Sequence, residues 1–104
     1  MSLPAFLDDE LYLRLLANGR IAQSADFDAY PVVKLLAPDG KAAWLLTALD
    51  PDDLDRAYGL CDPGTGAPEP GWVSMAELQA VRGPQGQRIE RDRHFRADAT
   101  LSDY

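Results

Sequence analysis

Cysteine, histidine, basic residues and long apolar runs are all scarce in this 104-residue chain, and each scarcity excludes something. One cysteine, Cys61, leaves no internal disulfide and no cysteine-based zinc site. It suits a reducing, cytoplasmic setting. No apolar run approaches the about eighteen residues that a membrane span needs, so no membrane association is expected. The opening "MSLPAFLDDE" has no basic stretch ahead of an apolar run and is not read as a signal peptide. Ten basic against 17 acidic residues give a net charge of −7. Such a chain is repelled by phosphate backbones, so general nucleic-acid binding is disfavoured. Nothing matches a phosphate-binding loop: "GPQG" and "PGTG" lack the lysine and the spacing. "DPDDLD", Asp50 to Asp55, lacks the glycine and distal glutamate of a calcium loop and reads as a solvated acidic turn. Cys61 lies between apolar strand residues and reads as a buried structural thiol rather than a nucleophile. No cofactor is expected.

What is present is ordinary globular material, 46% hydrophobic and 26% charged, at a length that fits a single domain over 1–104. Asp8 can cap a first helix, with Asp9 and Glu10 in its first turn and Leu7 stapled onto Tyr12. Leu11, Leu15 and Leu16 recur at helical spacing, and Asn18-Gly19 offers a stop. "YPVVKLLA" places Val33, Leu35 and Ala37 on one strand face, and "PDGK" is a tight turn with Gly40 at a positive φ. "AAWLLTALD" is apolar on both faces, which predicts a central strand with Trp44 or Leu45 deep in the core. "PDDLD" is a second turn, and "RAYGLCD" a third strand. Connections this short dictate an antiparallel meander. "PGTGAPEPG" reads as an irregular loop. Trp72 resumes an apolar stretch and, like Trp44, reads as a core aromatic. "SMAE" is a capping box, in which Ser74 and Glu77 serve each other's amides at the head of a helix Met75–Val81 that stops at Gly83-Pro84. A strand within "QRIERDRHF" and a poorly packed tail from about residue 97 complete an α+β fold. It comprises a small antiparallel sheet, a three-stranded meander plus a C-terminal strand, with two helices.

The segments "VVKLLAPDGKAAWLLTALDPDD", "AYGLCD" and "GWVSMAELQAVRGPQGQRIERDRHF" resemble, in that order, a bacterial family known as domain of unknown function 2958. The shared features are the strand–PDG–strand with its tryptophan, the YGL-like third strand, the S-x-x-E-L helix and the "IERD–F" ending. The resemblance spans roughly residues 30–96. It implies a bacterial accessory protein and carries no activity with it.

"QRIERDRHF", Gln87 to Phe95, gathers three arginines, two carboxylates and the only histidine. Half of the ten basic residues lie in the last 23 positions, where five arginines meet four acids. On a continuous strand, Glu90, Asp92 and His94 share one face, and Ile89, Arg91, Arg93 and Phe95 the other. Two carboxylates and an imidazole suit a divalent ion or acid–base chemistry. Same-face side chains stand roughly 7 Å apart along a strand, so three in a row do not converge on one ion, and a solvated strand face is the favoured reading. Arg91 and Arg93 are expected to reach acids of the strand turns such as Asp50, Asp52 or Asp62. Three functions follow in order of preference. The first is a small acidic, non-enzymatic binding or regulatory protein that uses the acidic run Asp50–Asp55 on a protein partner. The second is a metal-dependent or acid–base enzyme using Glu90, Asp92 and His94. The third is anion or nucleic-acid binding through Arg88, Arg91 and Arg93.

Overall fold

The computed structural model describes residues 3–104. Its first element is helix α1, Asp9–Ser24, whose Leu11 amide donates to Asp8 Oδ1 at 2.9 Å. Leu7 is buried and Tyr12 packs against the same core, as the staple requires. The helix does not stop at Asn18-Gly19. Asn18 Nδ2 donates to the Thr47 carbonyl at 2.8 Å, and Gly19 is buried so close to the sheet that a Cβ there would lie 1.7 Å from the Leu49 carbonyl oxygen. Gly19 is therefore a contact glycine inside the helix and not a cap. Helix continuation costs about 1 kcal/mol of propensity there and gains a close seat on the sheet.

The sheet has five strands, β1 (Val33–Leu36), β2 (Ala43–Asp50), β3 (Asp53–Asp62), β4 (Glu69–Ser74) and β5 (Glu90–Arg91), in the spatial order β4-β3-β2-β1-β5. All pairings are antiparallel. The meander and the central place of the strand "AWLLTALD" agree with the sequence reading. At the first hairpin, Gly40 has φ 74° and its amide reaches the Ala37 carbonyl at 2.9 Å. At the second, Asp50 Oδ1 accepts the Asp52 amide at 2.9 Å. The acidic run thus shapes its own turn.

Strand β4 was hidden in the expected loop. Glu69, Pro70 and Gly71 pair with Cys61, Leu60 and Gly59. A proline is tolerated there because β4 is an edge strand, where one side of the ladder needs no donor. The loop before it is held by Asp62, whose Oδ1 accepts the amides of Gly64, Thr65 and Gly66. Helix α2, Met75–Ala80, begins where Ser74 Oγ accepts the Glu77 amide at 3.2 Å. The other half of the cap comes from Asp55 rather than from Glu77. Asp55 takes the Ser74 hydroxyl at 2.6 Å and the Ala76 amide at 2.8 Å. Val81 then turns extended, and Gly86 (φ 81°), not Gly83, supplies the left-handed residue of the following turn.

The core joins Phe6, Leu7 and Leu15 to Val33, Leu35, Leu46 and Leu49 of the sheet, with Met75, Leu78 and Ile89. Trp44 and Leu45 are only partly buried, because the deep positions of β2 are Leu46 and Leu49, on either side of a register shift at Thr47. The tail is tied down where loose packing was expected. Leu101 is buried, its amide donates to the Ala29 carbonyl at 2.9 Å, and Ser102 hydrogen-bonds Asp28 through both its amide and its hydroxyl. Among the described residues, no helix is long and apolar enough to cross a membrane.

Candidate functional site

The stretch Gln87–Phe95 is not one long strand. Only Glu90 and Arg91 pair with β1, opposite Leu36 and Leu35. The Asp92 amide still reaches the Lys34 carbonyl at 2.9 Å, but Asp92 Oδ1 accepts the His94 amide at 3.0 Å. That local bond curls the chain into a turn closed by the Phe95 amide on the Asp92 carbonyl. Alternation ends at Asp92, so the expected face of Glu90, Asp92 and His94 does not form. Among the described residues, no group of three His, Cys, Asp or Glu side chains is placed to hold a metal ion.

The turn brings a different set together. A cleft of about 680 Å³ lies between it, the start of α1 and the segment leading into β1. Arg91, Arg93 and Arg96 line it from the C-terminal side, and Arg14 from α1. Tyr30 and Phe95 contribute aromatic rings, and Asp8, Glu10 and Asp92 contribute carboxylates. Arg91 is the anchored member, with a side chain 16% exposed and Nη1 3.4 Å from Asp8 Oδ2. The Asp8 carboxyl is held below its usual value first by the Leu11 amide and then by Arg91 and Arg93, with partial desolvation opposing them.

The arginines therefore do not reach the acids expected for them. Asp50 pairs with Arg56 at 3.5 Å, Asp52 accepts a bond from Gln23, and Asp62 is occupied by its loop. Arg88 lines a separate hollow beside Phe6, Leu78 and Gln79. Glu90 and His94 do not line the arginine cleft. Arg14, Tyr30 and Arg96 were missed because their neighbours are set by topology. Glu10 and Arg14 at i, i+4 mark one helix face, but nothing local says which loop that face meets.

A second groove, of about 460 Å³, is lined by the C-terminal half of α1. Its aromatic residues are Phe27, Tyr58 and Trp72. Trp72 was expected in the core, yet it sits on the edge strand β4 and is 48% exposed. It faces Tyr58 across the ladder with ring centroids 5.2 Å apart, edge to face, and the Arg56 guanidinium lies 4.5 Å from its ring. Asp26, Asp28 and Asp50 carry the charge of the lining. The Asp28 carboxyl is lowered by the Ser102 and Thr100 hydroxyls. Cys61 is half-buried beside Trp44. Burial pushes its thiol up, although the side chain is less enclosed than the buried thiol expected from the sequence.

No curated protein and no solved structure gives a significant match to the chain. One family does match, and over more of the chain than the shared motifs suggested: residues 6–104, which takes in α1 and the tail. The chain belongs to the family described as "Protein of unknown function (DUF2958)".

Proposed function

We propose that this protein is a small acidic, non-enzymatic binding module that takes a basic segment of a protein partner in the groove around Trp72. The single observation behind the proposal is the large, half-exposed indole of Trp72 on an edge strand, held in place by Tyr58 and Arg56. Tryptophan, tyrosine and arginine are the residues on which protein interfaces concentrate their binding energy. An aromatic left open to water gives up area that a partner can cover. The flanking acids choose the sign of that partner. Asp26, Asp28 and Asp50 line the groove and Asp52 adjoins it, while Arg56 is the nearby cation and is already paired with Asp50. Carboxylates around an indole favour lysine or arginine side chains through charge attraction. Pro70 deprives the outer strand of a backbone donor, so side chains rather than strand addition are the mode of contact.

The experiment is a fluorescence titration with lysine- and arginine-rich peptides containing apolar residues, set against acidic peptides of the same length. Basic peptides, carrying a dye whose anisotropy reports binding, should bind with saturation, bind more weakly as salt rises, and lose binding to Trp72→Ala. Equal binding to Trp72→Ala, or a preference for the acidic peptides, would refute the assignment.

A further inference from the structure

We infer that the arginine cleft binds a phosphorylated small molecule, with nucleoside di- and triphosphates as its ligand class. The site shares no lining residue with the Trp72 groove and stands independently of it.

Four of the chain's ten basic residues, Arg14, Arg91, Arg93 and Arg96, line one cleft in a protein whose net charge is −7. With so many carboxylates on the chain, neutralising all four would have been easy, and the fold does not do it. Arg91 alone is in an ion pair. Arg14 and Arg93 have no ion pair among the described residues, and Arg96 donates only to the carbonyl of its neighbour Phe95. Two of the three acids in the cleft are committed. Asp8 caps α1 and holds Arg91, and Asp92 closes its own turn. The cleft thus sets four guanidiniums against three carboxylates, a net positive pocket on a net negative chain, and three of the four guanidiniums have no ion-pair partner among the described residues. Like charges gathered in a concave space repel one another, and a multiply charged anion relieves that repulsion.

Shape and chemistry then narrow the anion. Guanidinium forks match the oxygens of phosphate groups, and several of them suit a chain of phosphates better than a single carboxylate. The volume of about 680 Å³ exceeds what a bare phosphate fills and lies within the usual range for small-molecule sites. Tyr30, 56% exposed, and Phe95 line the same space, and a phenyl or phenol face is a platform for a nucleobase. The chain's net charge of −7 disfavours a long nucleic-acid strand, which favours a free nucleotide.

The test is calorimetry on the full chain at low salt with ATP, GTP, pyrophosphate and a single-stranded oligonucleotide. ATP or GTP should bind one to one. Arg14→Ala and Arg93→Ala should each weaken that binding by roughly tenfold, as loss of a charged hydrogen bond to phosphate does. Both positions are exposed, so thermal melts should match the parent, and if one variant fails to fold the other carries the test. Arg88→Ala, outside the cleft, should leave affinity unchanged. Tyr30→Ala should weaken ATP but not pyrophosphate. The inference is overturned by absence of saturable nucleotide binding, by an equal loss in Arg88→Ala, by pyrophosphate binding as tightly as ATP with no effect of Tyr30→Ala, or by tighter binding of the oligonucleotide.

Discussion

Replacing Gly19 with alanine sets two physical effects against each other with opposite signs. On helix propensity alone the change should stabilise the protein by about 1 kcal/mol, since glycine is the poorest non-proline residue in a helix interior. Its φ is not in the left-handed region, so an alanine meets no backbone strain. The opposing effect is contact. A Cβ at position 19 would sit 1.7 Å from the Leu49 carbonyl oxygen and 2.9 Å from its carbon, where ordinary contact begins at 3.4 Å. The obstacle is backbone in the central strand of the sheet, not the end of a flexible side chain. Relief therefore requires α1 to back away from β2, which pulls on the 2.8 Å bond from Asn18 to the Thr47 carbonyl and unseats Leu15, fully buried one turn earlier. Overpacking of a tight interior typically costs about 1–3 kcal/mol, and a rigid neighbour belongs at the upper end. The balance is a net loss of roughly 1–2 kcal/mol. For a chain this long, each kcal/mol lowers the melting temperature by roughly 4–8 °C. Urea unfolding followed by far-ultraviolet circular dichroism reads the result, with Ala17→Gly on the exposed side of the helix measuring propensity alone. A Gly19→Ala midpoint at or above that of the parent would refute the close approach of α1 to β2.

Ser74→Ala should cost about 1 kcal/mol, because it removes the acceptor for the Glu77 amide, while Asp55 still holds the Ala76 amide and limits the damage. An unchanged denaturant midpoint would mean that the start of α2 depends on Asp55 alone. Stability should also fall in acid. Asp55, held low by the Ser74 hydroxyl and then the Ala76 amide, and Asp28, held low by the Ser102 and Thr100 hydroxyls, both have folded values below 3.8. Their contribution is complete above that unfolded-state value and is lost as pH falls through the lower folded values. An Asp28→Asn, Asp55→Asn double variant should therefore lose less stability than the parent across that acid window, and parallel pH profiles would contradict this.

What could be read from the sequence was whatever local chemistry decides. The Asp8 cap, the Leu7–Tyr12 staple, the Pro38–Gly40 turn and the Ser74 cap each rest on groups a few residues apart, and the structure has all of them. The errors share one cause: a local signal was read without the neighbour that gives it meaning. Asn18-Gly19 looks like a helix stop because both residues suit one, yet here they meet the carbonyls of Thr47 and Leu49. Pro70 and Gly71 look like loop until β4 is known to be an edge, which depends on the order of the whole sheet. Trp72 looks like core for the same reason. A large apolar side chain is buried by default, and only its place on the outermost strand leaves it in water. The charged stretch shows this at the level of function. Its spacing suggested a face of Glu90, Asp92 and His94, but spacing has meaning only while a strand lasts, and Asp92 ends this one by taking the His94 amide. The arginines that then share a cleft come from α1 and from β5 with the turn beyond it, far apart in sequence. What brings them together is the return of β5 to the free edge of β1, so the cleft is a property of the sheet order rather than of any motif.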